Sequence, residues 1–277
     1  MAEVTERQGT IDQENRDFWD EACGTVLARE LGVTDRDAES LRRYDDAYFA
    51  IYPYLLRHVA LVDMRGKRVL EIGLGHGNLA QKIAAAGAAY SGLDIARGPV
   101  GMVRHRFAVA GLPGQVLQGS ILQCPFDDGS FDHVVSIGVL HHTGNFGAAL
   151  REVHRVLKPG GRATIMVYNA YSYRRWLRFT GPTLRHWLWN YFGLGDRPTA
   201  GVTERRAYDH DSLGGEPPAT EFLSRRELRT LCRSFQSVRA ALEQTGGRRM
   251  LGLHGRLILC ATLGRLWGLD IYATLTK

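Results

Sequence analysis

Glu71 closes a short apolar run, and three glycines follow it at alternate positions, Gly73, Gly75 and Gly77, in the stretch VLEIGLGHGNLA. A strand that turns sharply into a helix through glycines can bring backbone N–H groups against a ligand, because glycine has no Cβ in the way. Such a turn suits a nucleoside-bearing cofactor. A second carboxylate, Asp94, ends the next apolar run, where it can accept both hydroxyls of an adenosine ribose. Its plainer alternative is a turn or helix cap. His141 and His142 follow a later apolar run, 131–137, and either could act as a general base. The alternative is a His pair that only shapes its loop. His76, inside the glycine turn, either touches a cofactor carboxylate or faces solvent.

These groups need a scaffold that brings strand ends together. The chain alternates strand-like and helix-like segments from residue 67: strands at 67–72, 90–95, 116–118, 131–137 and 162–168, with helices at 78–86, 100–110 and 146–157 between them. This rhythm predicts a parallel sheet with right-handed crossovers. Before it, residues 1–10 read as disordered, 12–31 as one helix, and 35–62 as a second, with Thr34-Asp35 as its cap and a kink or break at Pro53. After it come an aromatic and basic stretch at 171–192, a loop at 193–220, and a helix at 224–234 with Ser224 as cap and Glu227 in a capping box. Strands at 236–243 and 270–276, with a helix at 253–267 between them, end the chain.

The segments VLEIGLGHGNLA, Gly92-Leu93-Asp94-Ile95, GSILQCPFDDGSFDHVVSIGVLHH and LREVHRVLKPGG resemble the class I S-adenosylmethionine-dependent methyltransferases, in their small-molecule branch. The resemblance covers roughly 65–170. It implies an α/β fold: a Rossmann-like, doubly wound, mostly parallel seven-stranded sheet with N-terminal helices and an inserted helical lid. It divides the chain into an N-terminal helical cap (1–62), a cofactor-binding core (63–170), a lid or substrate insertion (171–222) and a C-terminal completion of the sheet (223–277). It implies S-adenosyl-L-methionine as cofactor, with Gly73, Gly75 and Gly77 at the methionine part, Glu71 and His76 beside it, and Asp94 on the ribose. Ile95, Ser120 and Ile121 would flank the adenine, and Ile137 and Gly138 would line the site. Family members often carry an acidic residue after the third strand; here Ser120 stands there. Tyr48, Tyr52, Tyr168 and Arg174 are candidates for the acceptor side, and His141, slightly ahead of His142, for catalysis. The expected reaction is in-line methyl transfer to a small molecule of natural-product or saccharide biosynthesis.

Composition bounds the partners. Residues 1–150 carry a net charge of −5 and residues 151–277 a net of +11. The basic half points either to an anionic acceptor or to a solvated arginine-rich face. No apolar run reaches membrane-spanning length and the N-terminus is polar, which predicts a cytoplasmic protein. The four cysteines are scattered without a C-x-x-C pair, so no metal site and no disulfide framework is expected. A nicotinamide enzyme would want a glycine where Asn78 stands. A base-methylating enzyme would want an Asn/Asp-Pro-Pro-aromatic run where Ser136-Ile137-Gly138-Val139 stands, so no nucleic acid is expected. A membrane-associated enzyme, or a non-catalytic nucleotide-binding module, would rest on 171–192, where Trp176, Phe179, Leu184, Trp187 and Leu188 fall on one helical face.

Overall fold

The computed structural model describes residues 2–23, 25–33, 36–244 and 262–277. Its centre is one seven-stranded sheet in the order β3-β2-β1-β4-β5-β7-β6. The strands are β1 (Arg68–Ile72), β2 (Ala89–Asp94), β3 (Gln115–Gln118), β4 (Phe131–Ile137), β5 (Leu157–Tyr168), β6 (Ser237–Glu243) and β7 (Asp270–Thr276). The first five pair in parallel, whereas β7 runs antiparallel to both β5 and β6. Helices α5 (Asn78–Ala85), α6 (Arg97–Ala110) and α7 (Phe146–Val156) make the crossovers.

Strand alternation divides the core into two faces. Leu70 and Ile72 of β1 join Val134, Phe131 and the α7 residues Leu150 and Val153 on one side. Val69 joins Val135, Leu79 and Ile83 of α5, and Val103 and Phe107 of α6 on the other. Glu71 shares the register of Val69, which buries its carboxylate under α5 and α6 rather than exposing it.

The ends of the chain differ most from the sequence expectation. Residues 2–22 form helix α1 (Ala2–Ala22), not a disordered leader, and the single helix expected over 12–31 breaks into α1 and α2 (Thr25–Glu30). Polar contacts hold α1 in place: Gln8 Nε2 donates to the Thr143 carbonyl (2.9 Å) and Asn15 Nδ2 to the His142 carbonyl (2.9 Å). Phe18 and Trp19 add aromatic packing in its second half, the part that read as helical from the sequence. Helix α3 (Ala38–Ile51) is capped by Asp37, whose carboxylate accepts from Ser40 N at 2.7 Å; the expected cap at Thr34-Asp35 lies outside the described residues. The chain breaks at Pro53, and α4 (Leu55–Val59) follows. A proline disfavours helical geometry in the residue before it, which ends α3 there.

Strand β5 begins at Leu157 rather than at 162, because the Lys158–Gly161 turn is tied to the C-terminus by Gly160 N donating to the Lys277 carbonyl (2.7 Å). Two helices, α8 (Tyr173–Arg178) and α9 (Thr180–Phe192), break the single apolar face expected there, and α9 buries Thr183 and His186 while Leu184 is exposed. A short helix, α10 (Val202–Arg206), interrupts the expected loop. Helix α11 (Arg225–Leu231) carries the Ser224–Glu227 capping box, and α12 (Leu263–Trp267) precedes β7. The rest of the helix expected over 253–267 lies outside the described residues.

Candidate active site

The carboxyl ends of β1 and β4 lie side by side, with β2 following on one flank and β5 on the other. Open α/β sheets form a crevice where connections diverge in this manner. A cavity of about 330 Å³ opens there, within the range of small-molecule sites. The glycine turn, Asp94 and Ser120 line its β1–β3 half. His142, Tyr168 and Met166 line its β4–β5 half, and α1, α3 and the loop holding Asp209 close it over.

The glycine turn is held by both backbone and side chains. Gly73 has φ +77°, and a Cβ on it would overlap the Val139 side chain. Gly77, at φ +76°, has no more room: a Cβ would lie 2.9 Å from Arg106 Cδ and from Val103 Cγ2. Arg106 is wholly buried and acts as the clamp. Its Nε donates to the His76 carbonyl (2.6 Å), its Nη2 to Asp45 (2.9 Å) and His76 Nδ1 (3.0 Å), and its Nη1 to Gln81 (2.9 Å). A guanidinium only donates, so Nδ1 of His76 must hold the lone pair. Burial and the Arg106 charge hold the His76 imidazole down to about 4. His76 is therefore neutral near pH 7, half-buried and stacked on Tyr44 with centroids 3.8 Å apart.

Two carboxylates sit behind and beside the turn. Burial pushes Glu71 up to about 8, against the lowering effect of the hydrogen bond that Tyr90 Oη donates to it (2.7 Å). A raised folded-state value means that this group's stabilisation is complete below about 4.5 and is lost as pH rises through about 8. Glu71→Gln keeps an acceptor for Tyr90 and removes the ionisation. We expect the variant to gain, relative to wild type, on the order of a few kcal/mol across that pH interval. Urea unfolding at stepped pH measures this, and parallel pH slopes for the two proteins would rule it out. Asp94, only 7% exposed, accepts from Leu74 N (2.7 Å) and Ala96 N (2.9 Å), and burial pushes it up to about 6 against those bonds.

Across the cavity, His142 Nδ1 lies 2.9 Å from the Ala219 carbonyl. A carbonyl only accepts, so Nδ1 carries the proton and Nε2 the lone pair. Nε2 is buried without a hydrogen-bond partner and stands 3.5 Å from Asp209 Oδ2. Tyr168 Oη donates to the same Asp209 carboxylate (3.0 and 2.9 Å to its two oxygens). Burial lowers the His142 imidazole below its ordinary 6.5, opposed by Asp209 and by the Ala219 hydrogen bond. Trp19 of α1 packs edge-on against the His142 ring, at 4.9 Å.

Residues 70–165 match the family described as Methyltransferase domain. The likeness covers about a third of the chain. It is 35% identical to the fatty-acid O-methyltransferase of Mycolicibacterium smegmatis over 133 residues, 47% of this chain and 46% of that protein. It is 37% identical to the phthiotriol/phenolphthiotriol dimycocerosates methyltransferase of Mycobacterium tuberculosis strain H37Rv over 107 residues, 38% of this chain and 39% of that protein. The matches thus span less than half the length of these curated relatives. A solved SAM-dependent methyltransferase of Thermotoga maritima shares the fold, with a TM-score of 0.52 at 18% identity over 84% of this chain and 93% of that one.

Within residues 70–165 and the segments around them, most residues singled out from the sequence face one space. Glu71, Gly73, Gly75, His76 and Asp94 line the cavity, as do Ile95, Ser120, Ile121, Ile137 and Gly138. Tyr48, Tyr52, Tyr168 and His142 line it from the other elements. Gly77, His141 and Arg174 do not. His141 is 0% exposed, with neither ring nitrogen hydrogen-bonded, and packs between His142 and Tyr168. Arg174 lies over the Tyr208 ring (4.8 Å) and donates to the Ala207 carbonyl (3.1 Å). Ser120 accepts from Leu122 N at 3.3 Å, capping the short turn after β3.

The wall also contains residues that the sequence did not single out as site residues: Asp12, Asn15 and Trp19 of α1, Tyr44, Asn78 and Asp209. Asn78 tests the fit of S-adenosylmethionine. It opens α5 directly after the glycine turn, is 4% exposed, and its Nδ2 has no partner. A buried amide donor left unpaired is costly unless a ligand satisfies it. An acceptor-rich amino-acid end beside this donor, and a ribose beside the spare lone pairs of Asp94, fit the cavity as built.

Proposed function

We propose that the protein is a methyltransferase that moves the methyl group of S-adenosylmethionine to a small-molecule acceptor, with His142 as general base. One observation carries this reading: a single cavity joins the glycine turn and Asp94 to a buried imidazole whose Nε2 lone pair is unpartnered. The relatives named for fatty-acid and phthiotriol methylation support a small-molecule acceptor.

When bound, the cofactor supplies a methyl group already made electrophilic by its sulfonium. The protein's part is binding, alignment and proton transfer. Asp94 would accept the ribose hydroxyls, Asn78 and the turn amides would meet the amino-acid end, and Ile95, Ser120 and Ile121 would border the adenine. The Nδ1–H bond to Ala219 holds one tautomer and aims Nε2 for proton removal. Asp209, 3.5 Å away, would stabilise the imidazolium that results. Helix α1 and Asp209 seal the cavity from two ends of the chain, so 1–62 and 171–222 would serve as cap and lid to the 63–170 core, with 223–277 completing the sheet. Holding the acceptor in line can lower the barrier by roughly 7–11 kcal/mol in favourable cases.

Titration calorimetry with S-adenosylhomocysteine and with NAD tests the cofactor. We expect binding of the former and none of the latter; the reverse would overturn the reading.

A further inference from the structure

The acceptor half of the cavity carries negative charge and, among the described residues of its wall, no lysine or arginine. Asp12 and Asp209 line it. Four arginines of the C-terminal half are engaged elsewhere: Arg174 with Tyr208, Arg175 with Glu204 (2.7 Å), Arg197 with Glu221 (2.6 Å) and Arg206 with Glu216 (2.7 Å). Two neutral N–H donors on α1 are committed too. Trp19 Nε1 donates to Asn15 Oδ1 (3.2 Å), and Asn15 Nδ2 donates to the His142 carbonyl. A carboxylate entering this space would lose its water, meet two carboxylates of like charge and find no cation. What the wall does offer is a buried lone pair on His142 Nε2, which calls for a hydrogen-bond donor, and apolar surface from Trp19, Tyr48, Tyr52, Met166 and Tyr272.

We propose that the acceptor is an uncharged alcohol or phenol with an apolar body, and that the pocket rejects carboxylates. This rests on the methyl-transfer reading and narrows it. The acceptor O–H donates to His142 Nε2. As the oxygen lone pair forms the bond to the methyl carbon, the proton passes to Nε2, and the electrons of the broken carbon–sulfur bond remain on sulfur, which becomes a neutral thioether. Asp209 faces the imidazolium so formed, a favourable pairing that an acceptor carboxylate would oppose.

The test uses the full chain saturated with S-adenosylhomocysteine, titrated calorimetrically with 3-phenylpropan-1-ol, 3-phenylpropanoate and 3-phenylpropylammonium. The alcohol is expected to bind about tenfold or more tightly than the carboxylate, a modest gap for like charges in a half-buried site. In Asp209→Asn the gap should narrow, through gain by the carboxylate. A second arm supplies methyl-labelled cofactor and pooled alcohols and phenols, carboxylic acids or amines; label is expected in ethers. Label in esters or in N-methyl products overturns the proposal, as does equal affinity for alcohol and carboxylate, or no probe binding to protein that binds S-adenosylhomocysteine. Failure to bind S-adenosylhomocysteine at all strikes instead at the methyl-transfer reading.

Discussion

Asp94→Asn is expected to weaken S-adenosylhomocysteine binding about 100-fold while leaving the folded protein intact. The carboxylate already accepts from Leu74 N and Ala96 N, which fix its position at the end of β2, and its remaining lone pairs are the acceptors available to a ribose. A hydrogen bond to a charged acceptor contributes roughly 1.5–3 kcal/mol, so weakening two of them gives a loss of this size. Asparagine keeps the shape and one acceptor oxygen, which separates recognition from folding better than alanine does. Calorimetry measures the affinity and thermal unfolding checks the fold. The wild-type site has its own pH dependence: burial raises Asp94 to about 6, so binding should weaken as pH falls through that value. Unchanged affinity in the variant would remove Asp94 from cofactor recognition.

His142→Asn should lower the turnover rate by about 10²–10⁴-fold with S-adenosylhomocysteine affinity held, the range lost when a positioned base is removed. The asparagine amide can replace the Nδ1–H donation to Ala219, so the loop keeps its anchor and only the Nε2 lone pair is lost. Because burial lowers the His142 imidazole below 6.5, the free base predominates at neutral pH, and the wild-type rate should be flat above that value and fall only below it. The variant should lack this acid limb. The matching change at His141 tests the alternative: His141 is buried behind the wall, so its loss should act on stability before rate. A His142→Asn enzyme with normal turnover would exclude it as the base.

The N-terminal helix adds a consequence for folding. Asn15 and Gln8 reach the loop after β4 through contacts 127 and 135 residues apart in sequence, so the site is complete only when the first helix has docked. Loop closure over such distances is entropically costly, and cap and core would order together rather than in sequence.

Local chemistry made the central part of this protein legible. The glycine turn, Asp94, β4 and the Ser224–Glu227 capping box are each written within a few residues, and strand and helix periods determine them before any long-range contact forms. The half of the cavity proposed for the cofactor was therefore legible from the residues alone. The acceptor half was not. Which histidine faces the cavity depended on the turn after β4, whose packing buries the His141 ring between His142 and Tyr168. Asp209 lies in a loop that no local pattern ties to the site; Tyr168, 41 residues away, donates to it only in the folded chain. The first turns of α1, residues 2–10, read as disordered because they carry few apolar residues, and Gln8 anchors them through its side-chain amide. The basic half of the chain left an anionic acceptor and a solvated arginine-rich face both open; only the folded structure shows that, among the described residues, none of its arginines lines the cavity wall. Short-range geometry determined the glycine turn and the carboxylate at the end of β2; packing between distant segments decided which side chains face them across the cavity.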